Sequence, residues 1–253
     1  MKTNKCAMVA VCVICLLLSS CQKWLTVSPK AEATDAMQFS SERGFQDALT
    51  GVYIQLKSPA LYGKALSYGA MEHLMNSWDV SGGTVEQYLG LFYYNDPGVQ
   101  AVFRSVFEGE YTAIANLNEI LANIESRKTV FTTKGMYETI KSECLALRAF
   151  CHFDILRLFG PVPLNTNNTN ILPYVTVLSK QPQSHIGFEQ YKLQLLQDLT
   201  EAEALVKDID PFLQYTYAEI ANPGNASLFQ PASSYLAYRF IRMNYYAIKG
   251  LQA

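Results

Sequence analysis

Cysteine, histidine and tryptophan are scarce in this 253-residue chain, with six, three and two copies, and each scarcity closes a route. Cys6, Cys12 and Cys15 fall in the first apolar run, so that only Cys21, Cys144 and Cys151 lie beyond it. Cys144 and Cys151 share one predicted helix; at a rise of ~1.5 Å per residue their Cα atoms stand roughly 10 Å apart, beyond disulfide reach. Without a Cys-x-x-Cys pair, neither a structural zinc nor a redox dithiol has its ligands. His73, His152 and His185 are dispersed, and Glu72-His73 lacks the second histidine of a zinc-protease helix. Gly82-Gly83 has no phosphate-loop context, and no Gly-x-Ser-x-Gly elbow occurs. Glu108 and Glu110, like Glu201 and Glu203, are two apart and point to different faces of a helix, which reads as solvated surface. A glycosidase stays open, because its two acids need not be close in sequence. No cofactor is expected. Charge of one sign is also missing: the net charge is −2, or −4 without Lys2 and Lys5, so a basic surface for nucleic acid is absent.

The one long hydrophobic run is N-terminal. Lys2 and Lys5 precede apolar residues from Cys6 to Leu18, then Ser19-Ser20-Cys21. Roughly 13 apolar residues are too few for the ~20 of a permanent span, and the layout is that of an export signal. Leu18-Ser19-Ser20-Cys21 resembles the lipobox of bacterial lipoproteins, in which the cysteine takes a diacylglycerol. The expected organisation is therefore a leader over residues 1–20, lipidation at Cys21, a tether over 21–39 and a helical domain over 40–253. At ~0.8 kcal/mol per buried CH₂, several acyl chains would hold the domain on a membrane without spanning it.

What is plentiful is aromatic: 16 Tyr and 13 Phe. Apolar residues recur at helical spacing in six stretches, and no run alternates as a strand does. The first follows Ser40-Ser41, carries Phe45, Leu49, Val52, Tyr53 and Leu56, and ends near Ser58-Pro59. The second is predicted over 61–77, the third over 99–126 and the fourth over 133–159. The fourth stops at Gly160-Pro161, where glycine suits a left-handed cap and proline cannot continue the helix. A fifth carries Phe188 to Leu205, and a sixth, from about Tyr235, shows Ile241, Tyr245, Ile248 and Leu251. Its pattern is still in phase at Ala253, which predicts a chain cut within a helix. The expected fold is all-α, an α-solenoid of the tetratricopeptide kind with long loops, with a plain helical bundle as the alternative.

Several stretches, in order, resemble the SusD/RagB-like outer-membrane lipoproteins: Cys21-Gln-Lys-Trp24-Leu25 with Pro29; Gly51-Val52-Tyr53; and Tyr111-Thr-Ala-Ile114-Ala-Asn116. The most specific is Ala146-Leu-Arg148-Ala149-Phe150-Cys-His-Phe153, continued by Leu158-Phe159-Gly160-Pro161-Val162-Pro163-Leu164. Tyr191, Asp198-Leu199, Ala202 and Leu205 follow, then Arg242-Met243-Asn244-Tyr245-Tyr246-Ala247. Thr26 and Gln183 depart from the family's usual aspartate and arginine. The resemblance implies the N-terminal half of a surface-exposed receptor, not an enzyme, that captures glycans and passes them to a SusC-like TonB-dependent transporter. Peptide capture is the alternative within the family; a lipid-anchored glycoside hydrolase or a structural helical adaptor is the alternative outside it.

Arg148, among apolar neighbours, reads as structural, its planar fork joining carboxylates or helix ends. Ala149, Phe150, Gly160 and Pro163 read as architecture. The binding candidates lie in the connector from Asn76 to Asp96: Trp78, Asp79, Tyr88, Tyr93, Tyr94 and Asn95. Aromatic faces stack on sugar rings and the Asn and Asp side chains meet hydroxyls, although each aromatic equally suits the core.

Overall fold

The computed structural model describes residues 36–161, 170–221 and 231–253. Cys21, the expected leader, the tether as far as residue 35, and Pro163 lie outside them. Residues 36–38 are helical, and the first full helix, α1 (Glu42–Leu56), starts where the Ser41 hydroxyl accepts from the Gly44 amide at 3.2 Å and buries Phe45, Leu49 and Val52. Each such side chain contributes about 1.5–3 kcal/mol on burial. Two short helices follow, α2 (Ala70–Leu74) and α3 (Val85–Gly90). Then come the two long ones, α4 (Pro97–Ile124) and α5 (Met136–Phe159). Strands β1 (Asn170–Leu172) and β2 (Ile186–Gly187) form a small antiparallel pair before α6 (Phe188–Val206). Short α7 (Tyr217–Ala221) and α8 (Tyr245–Gln252) complete the order. Contacts divide the chain into residues 1–38 and 39–253, and α1 to α8 all lie in the second unit.

Packing follows chain order: α1 on α4, α4 on α5, α5 on α6, α6 on α8. This serial stacking is the all-α, tetratricopeptide-like arrangement expected. Three details differ from the periodicity. Residues 61–69 wind as overlapping wide turns and only 70–74 are α-helical. There the Tyr62, Ala65 and Met71 amides bond carbonyls six residues back. A Cβ at Gly63 would strike the Lys57 carbonyl, so that glycine permits a closure tighter than a helix. The last helix starts at Tyr245, capped by the Asn244 side chain on the Ala247 amide at 3.0 Å, rather than near Tyr235. Ahead of it two 3₁₀ turns carry Tyr238 at φ 56, and Ile241 is 71% exposed, off the apolar stripe. Gly160 has φ −81 and is not left-handed; glycine is needed because a Cβ would strike the Leu156 carbonyl.

Helix α5 is central: 16 of its 24 residues are buried, polar ones included. Every buried polar group there needs a partner, because an unpaired one costs about 1–3 kcal/mol. Arg148 Nε and Nη2 donate to both Asp198 oxygens at 2.7 and 2.6 Å, and Nη1 donates to Asn118 Oδ1 at 2.9 Å. Tyr174 donates to the same carboxylate at 2.7 Å. The Val175 amide donates to His152 Nε2 at 3.1 Å, which assigns the ring proton to Nδ1, 2.8 Å from the Tyr191 hydroxyl. Glu143 accepts from Tyr53 at 2.7 Å and pairs with fully buried Arg239, which also holds Asp210 at 2.7 Å. Asp154 accepts from Tyr62 and pairs with Arg157. Cys144 and Cys151 are free, buried thiols whose pKa burial pushes up.

Glu110 corrects the surface reading. Glu108 is exposed, but Glu110 is fully buried and neither of its oxygens has a conventional partner. Burial pushes its carboxyl up to about 8, Asp154 adds to the rise, and the weakly donating Cys151 thiol and Arg157 oppose it. His152 is pushed down to about 3 by burial, against the Val175 backbone and with the Arg148 charge.

Two stability predictions follow from these groups. Between pH 4.5 and 8 the folded chain holds the Glu110 proton that the unfolded chain releases, so stability falls as pH rises. Between about 3 and 6.5 the unfolded chain holds the His152 proton that the folded one lacks, so stability falls as pH drops. The slopes cancel from 4.5 to 6.5, and at about 1.4 kcal/mol per unit the wild type should lose about 2 kcal/mol from pH 6.5 to 8. Urea unfolding of Glu110→Gln should show that limb flattened; a wild type equally stable at both pH values would contradict a protonated Glu110. Separately, Arg239→Met strands Glu143 and Asp210 and should cost about 3–5 kcal/mol, where a loss below about 1 kcal/mol would deny the buried frame its role.

Candidate ligand-binding site

The connector between α2 and α4 is ordered by local geometry. Asn76, at φ 55, turns the chain out of α2, and its side chain lies 2.7 Å from where a Gly90 Cβ would be. The exits of α2 and α3 therefore meet, and the segments bearing Trp78 and Tyr93 leave from neighbouring points. Gly82 and Gly83, at φ 98 and 72, carry the return that glycine tolerates without a Cβ penalty. The Gly83 amide donates to Gln87 Oε1 at 2.8 Å, and Thr84 caps α3.

After α3 the chain turns within six residues. The Tyr93 amide donates to the Tyr88 carbonyl at 2.8 Å, the Asp96 amide to the Tyr93 carbonyl at 3.1 Å, and the Gln100 side chain to the Tyr94 carbonyl at 3.2 Å. Asp96 then accepts from the Gly98 and Val99 amides at 2.8 and 3.1 Å, ahead of Pro97 at the first position of α4. Phe92 holds φ 55, costly for a bulky residue, and its cost is met by the turn around it. The outcome is a ridge of Phe92, Tyr93 and Tyr94, which are 52, 56 and 52% exposed; Trp78, on the segment that leaves α2, is 56% exposed with no ring partner among the described residues.

Tyr93 and Tyr94 are tethered to the core, and Phe92 reaches Tyr94 at 6.3 Å. Tyr93 meets Tyr88 edge-on at 5.8 Å, and Tyr88 packs against the core. Tyr94 lies 5.8 Å from Phe103, which meets Phe159 at 6.5 Å. From Phe159 the contacts run through Phe107 at 5.1 Å and Tyr111 at 4.8 Å to His152, itself stacked on Tyr174 at 3.8 Å. An exposed ring is thus continuous with the polar frame on α5. Tyr111, half-buried, has its hydroxyl raised to about 12 by burial and donates to the Pro173 carbonyl at 3.1 Å.

Of the residues singled out from sequence, Trp78, Asp79, Tyr93, Tyr94 and Asn95 are exposed in this connector and Tyr88 is half-buried beneath it. Asp96 is a helix cap. Arg148 lies in the α5 frame, Ala149 is buried beside it, and Phe150 stacks on Tyr62 at 5.1 Å, away from the ridge. The chemistry missed was Arg239, Glu143 and Asp210, whose partners lie far off in sequence, and Glu110, which is buried without a conventional partner. The strain at Phe92 had no local signal either. Among the described residues no group of His, Cys, Asp and Glu could hold a metal ion, and no helix is long and apolar enough to cross a membrane.

Known proteins agree with this architecture. Residues 23–220 match the SusD-like family model described as starch-binding, associating with the outer membrane. A SusD-like protein, P25, of Formosa agariphila is 27% identical over 177 residues, covering 66% of this chain and 32% of that protein. The chain thus spans about a third of the length of that curated relative. Among solved structures, a SusD superfamily protein from Bacteroides thetaiotaomicron superposes with a TM-score of 0.56 at 19% identity, over 83% of this chain and 41% of the other. Another, from Bacteroides vulgatus, gives 0.50 at 21%, over 66% and 35%. The serial helix packing and a family match over most of the sequence lead to one conclusion: this chain belongs to the SusD-like family.

Proposed function

We propose that this protein is a lipid-anchored glycan-binding receptor of the outer membrane surface, with Trp78, Phe92, Tyr93 and Tyr94 as its stacking platform. The observation that carries the reading is the aromatic ridge, held against solvent by a left-handed turn and edge contacts to the core. An exposed aromatic face excludes water from the apolar face of a sugar ring, while the exposed Asp79 and Asn95, next in sequence to Trp78 and Tyr94, supply hydroxyl partners. A tethered ridge gives up little freedom on binding, so more of the stacking energy appears as affinity. Anchoring comes through Cys21, and a SusC-like TonB-dependent transporter receives the ligand. The role is capture without bond cleavage.

One experiment separates the parts. Purified chain should be retarded in native gels containing starch or another polysaccharide from a panel of plant and algal glycans, without release of reducing ends. Trp78→Ala with Tyr93→Ala removes two stacking faces of about 0.5–1.5 kcal/mol each and should weaken retention roughly fivefold or more while leaving the circular dichroism unchanged. Cys21→Ser should bind as the wild type does but leave the membrane fraction. Retention by peptide columns alone, or turnover of the polysaccharide, would sink the glycan-capture reading; continued membrane retention of the serine variant would sink the anchor.

A further inference from the structure

A second concavity, apart from the ridge, lies between the wide turns of residues 59–69, α2, α3 and α4. Its volume is about 350 Å³, within the range of small-molecule pockets. Small side chains leave this space: Ala65 and Ala70 are buried in its wall, with Leu89 as an apolar floor. Around this apolar body stand three ionisable groups, Lys64, His73 and Glu86. Glu86 is held below the usual carboxylate range by its own backbone amide, against burial, then by the Thr84 hydroxyl and the charges of Lys64 and His73. None of the three residues forms a direct ion pair with another described residue. Helix α3 separates the two sites, since Glu86 and Leu89 line the cavity while Tyr88 supports Tyr93.

An apolar wall flanked by separated positive and negative groups is complementary to one kind of small molecule. We propose that this cavity binds a free apolar α-amino acid as its zwitterion. Lys64 and His73 take the carboxylate, Glu86 takes the ammonium, and the side chain lies against Ala65, Ala70 and Leu89. Both charged ends contribute, because Lys64, His73 and Glu86 stand around one apolar wall and each ligand charge then forms a charge-assisted hydrogen bond with a group of the opposite sign. The proposal stands on this cavity alone and does not depend on glycan binding at the ridge.

The test is calorimetric titration of the purified chain with L-leucine and L-phenylalanine, beside N-acetyl-L-leucine and L-leucinamide, which each lack one charge. Saturable binding of the free amino acids is expected, with both blocked analogues at least about tenfold weaker. Glu86→Gln and Lys64→Met, both at the accessible rim, should each weaken L-leucine binding by about tenfold or more with unchanged circular dichroism. Trp78→Ala should leave it intact, which keeps this result distinct from the ridge. No saturable binding, or blocked analogues binding as well as the zwitterion, would overturn the proposal.

Discussion

The constraint on which the rest of the structure depends is the polarity of α5. A central helix buried on nearly every face carries Glu143, Arg148, His152 and Asp154, and none of these tolerates burial unpaired. Their partners come from every layer: Tyr53 on α1, Asn118 on α4, Asp198 and Tyr191 on α6, Tyr62 from the wide turns, and Arg239 from the 3₁₀ segment. Apolar packing alone would let helices slide by a residue or rotate, since Leu, Ile and Ala interchange at modest cost. A two-pronged Arg148–Asp198 pair does not allow that, because both prongs are made at one register and orientation only. Burial of such pairs adds little net stability, so their effect is to specify the arrangement.

How much of this was legible in the sequence follows from the range of each interaction. Helices α1, α4, α5 and α6 were read correctly because an apolar stripe at 3.6-residue spacing is local, and Ser41 and Gly160-Pro161 mark their ends. The predicted second helix failed because its apolar residues also suit six-residue closures around Gly63, which spacing does not distinguish from a helix. The sixth was begun early because Arg239 is drawn into the core by Glu143 and Asp210, 96 and 29 residues away, and this overrides the apolar phase. Glu110 marks a different limit: spacing on a helix tells which face a residue takes, not whether that face is covered.

The candidate site was legible in composition and not in geometry. A run with Trp78, Tyr88, Tyr93 and Tyr94 announces aromatic surface, but each ring equally suited the core until the turn at Phe92 showed which point outward. That outward ridge is joined to the α5 frame through Phe103, Phe159, Phe107 and Tyr111, so scaffold and surface are mechanically continuous. Membership in a family described as starch-binding and associated with the outer membrane supports reading the ridge as a sugar platform.

The rigid polar frame on α5 presents a preformed aromatic ridge. Hydrogen–deuterium exchange of the purified chain, with and without maltoheptaose, tests it most directly. The account predicts that amides of residues 142–155 are among the slowest to exchange in either state, and that added protection is confined to residues 76–96. Fast exchange along α5 in the free chain, or sugar-induced protection confined to segments outside 76–96, would contradict it.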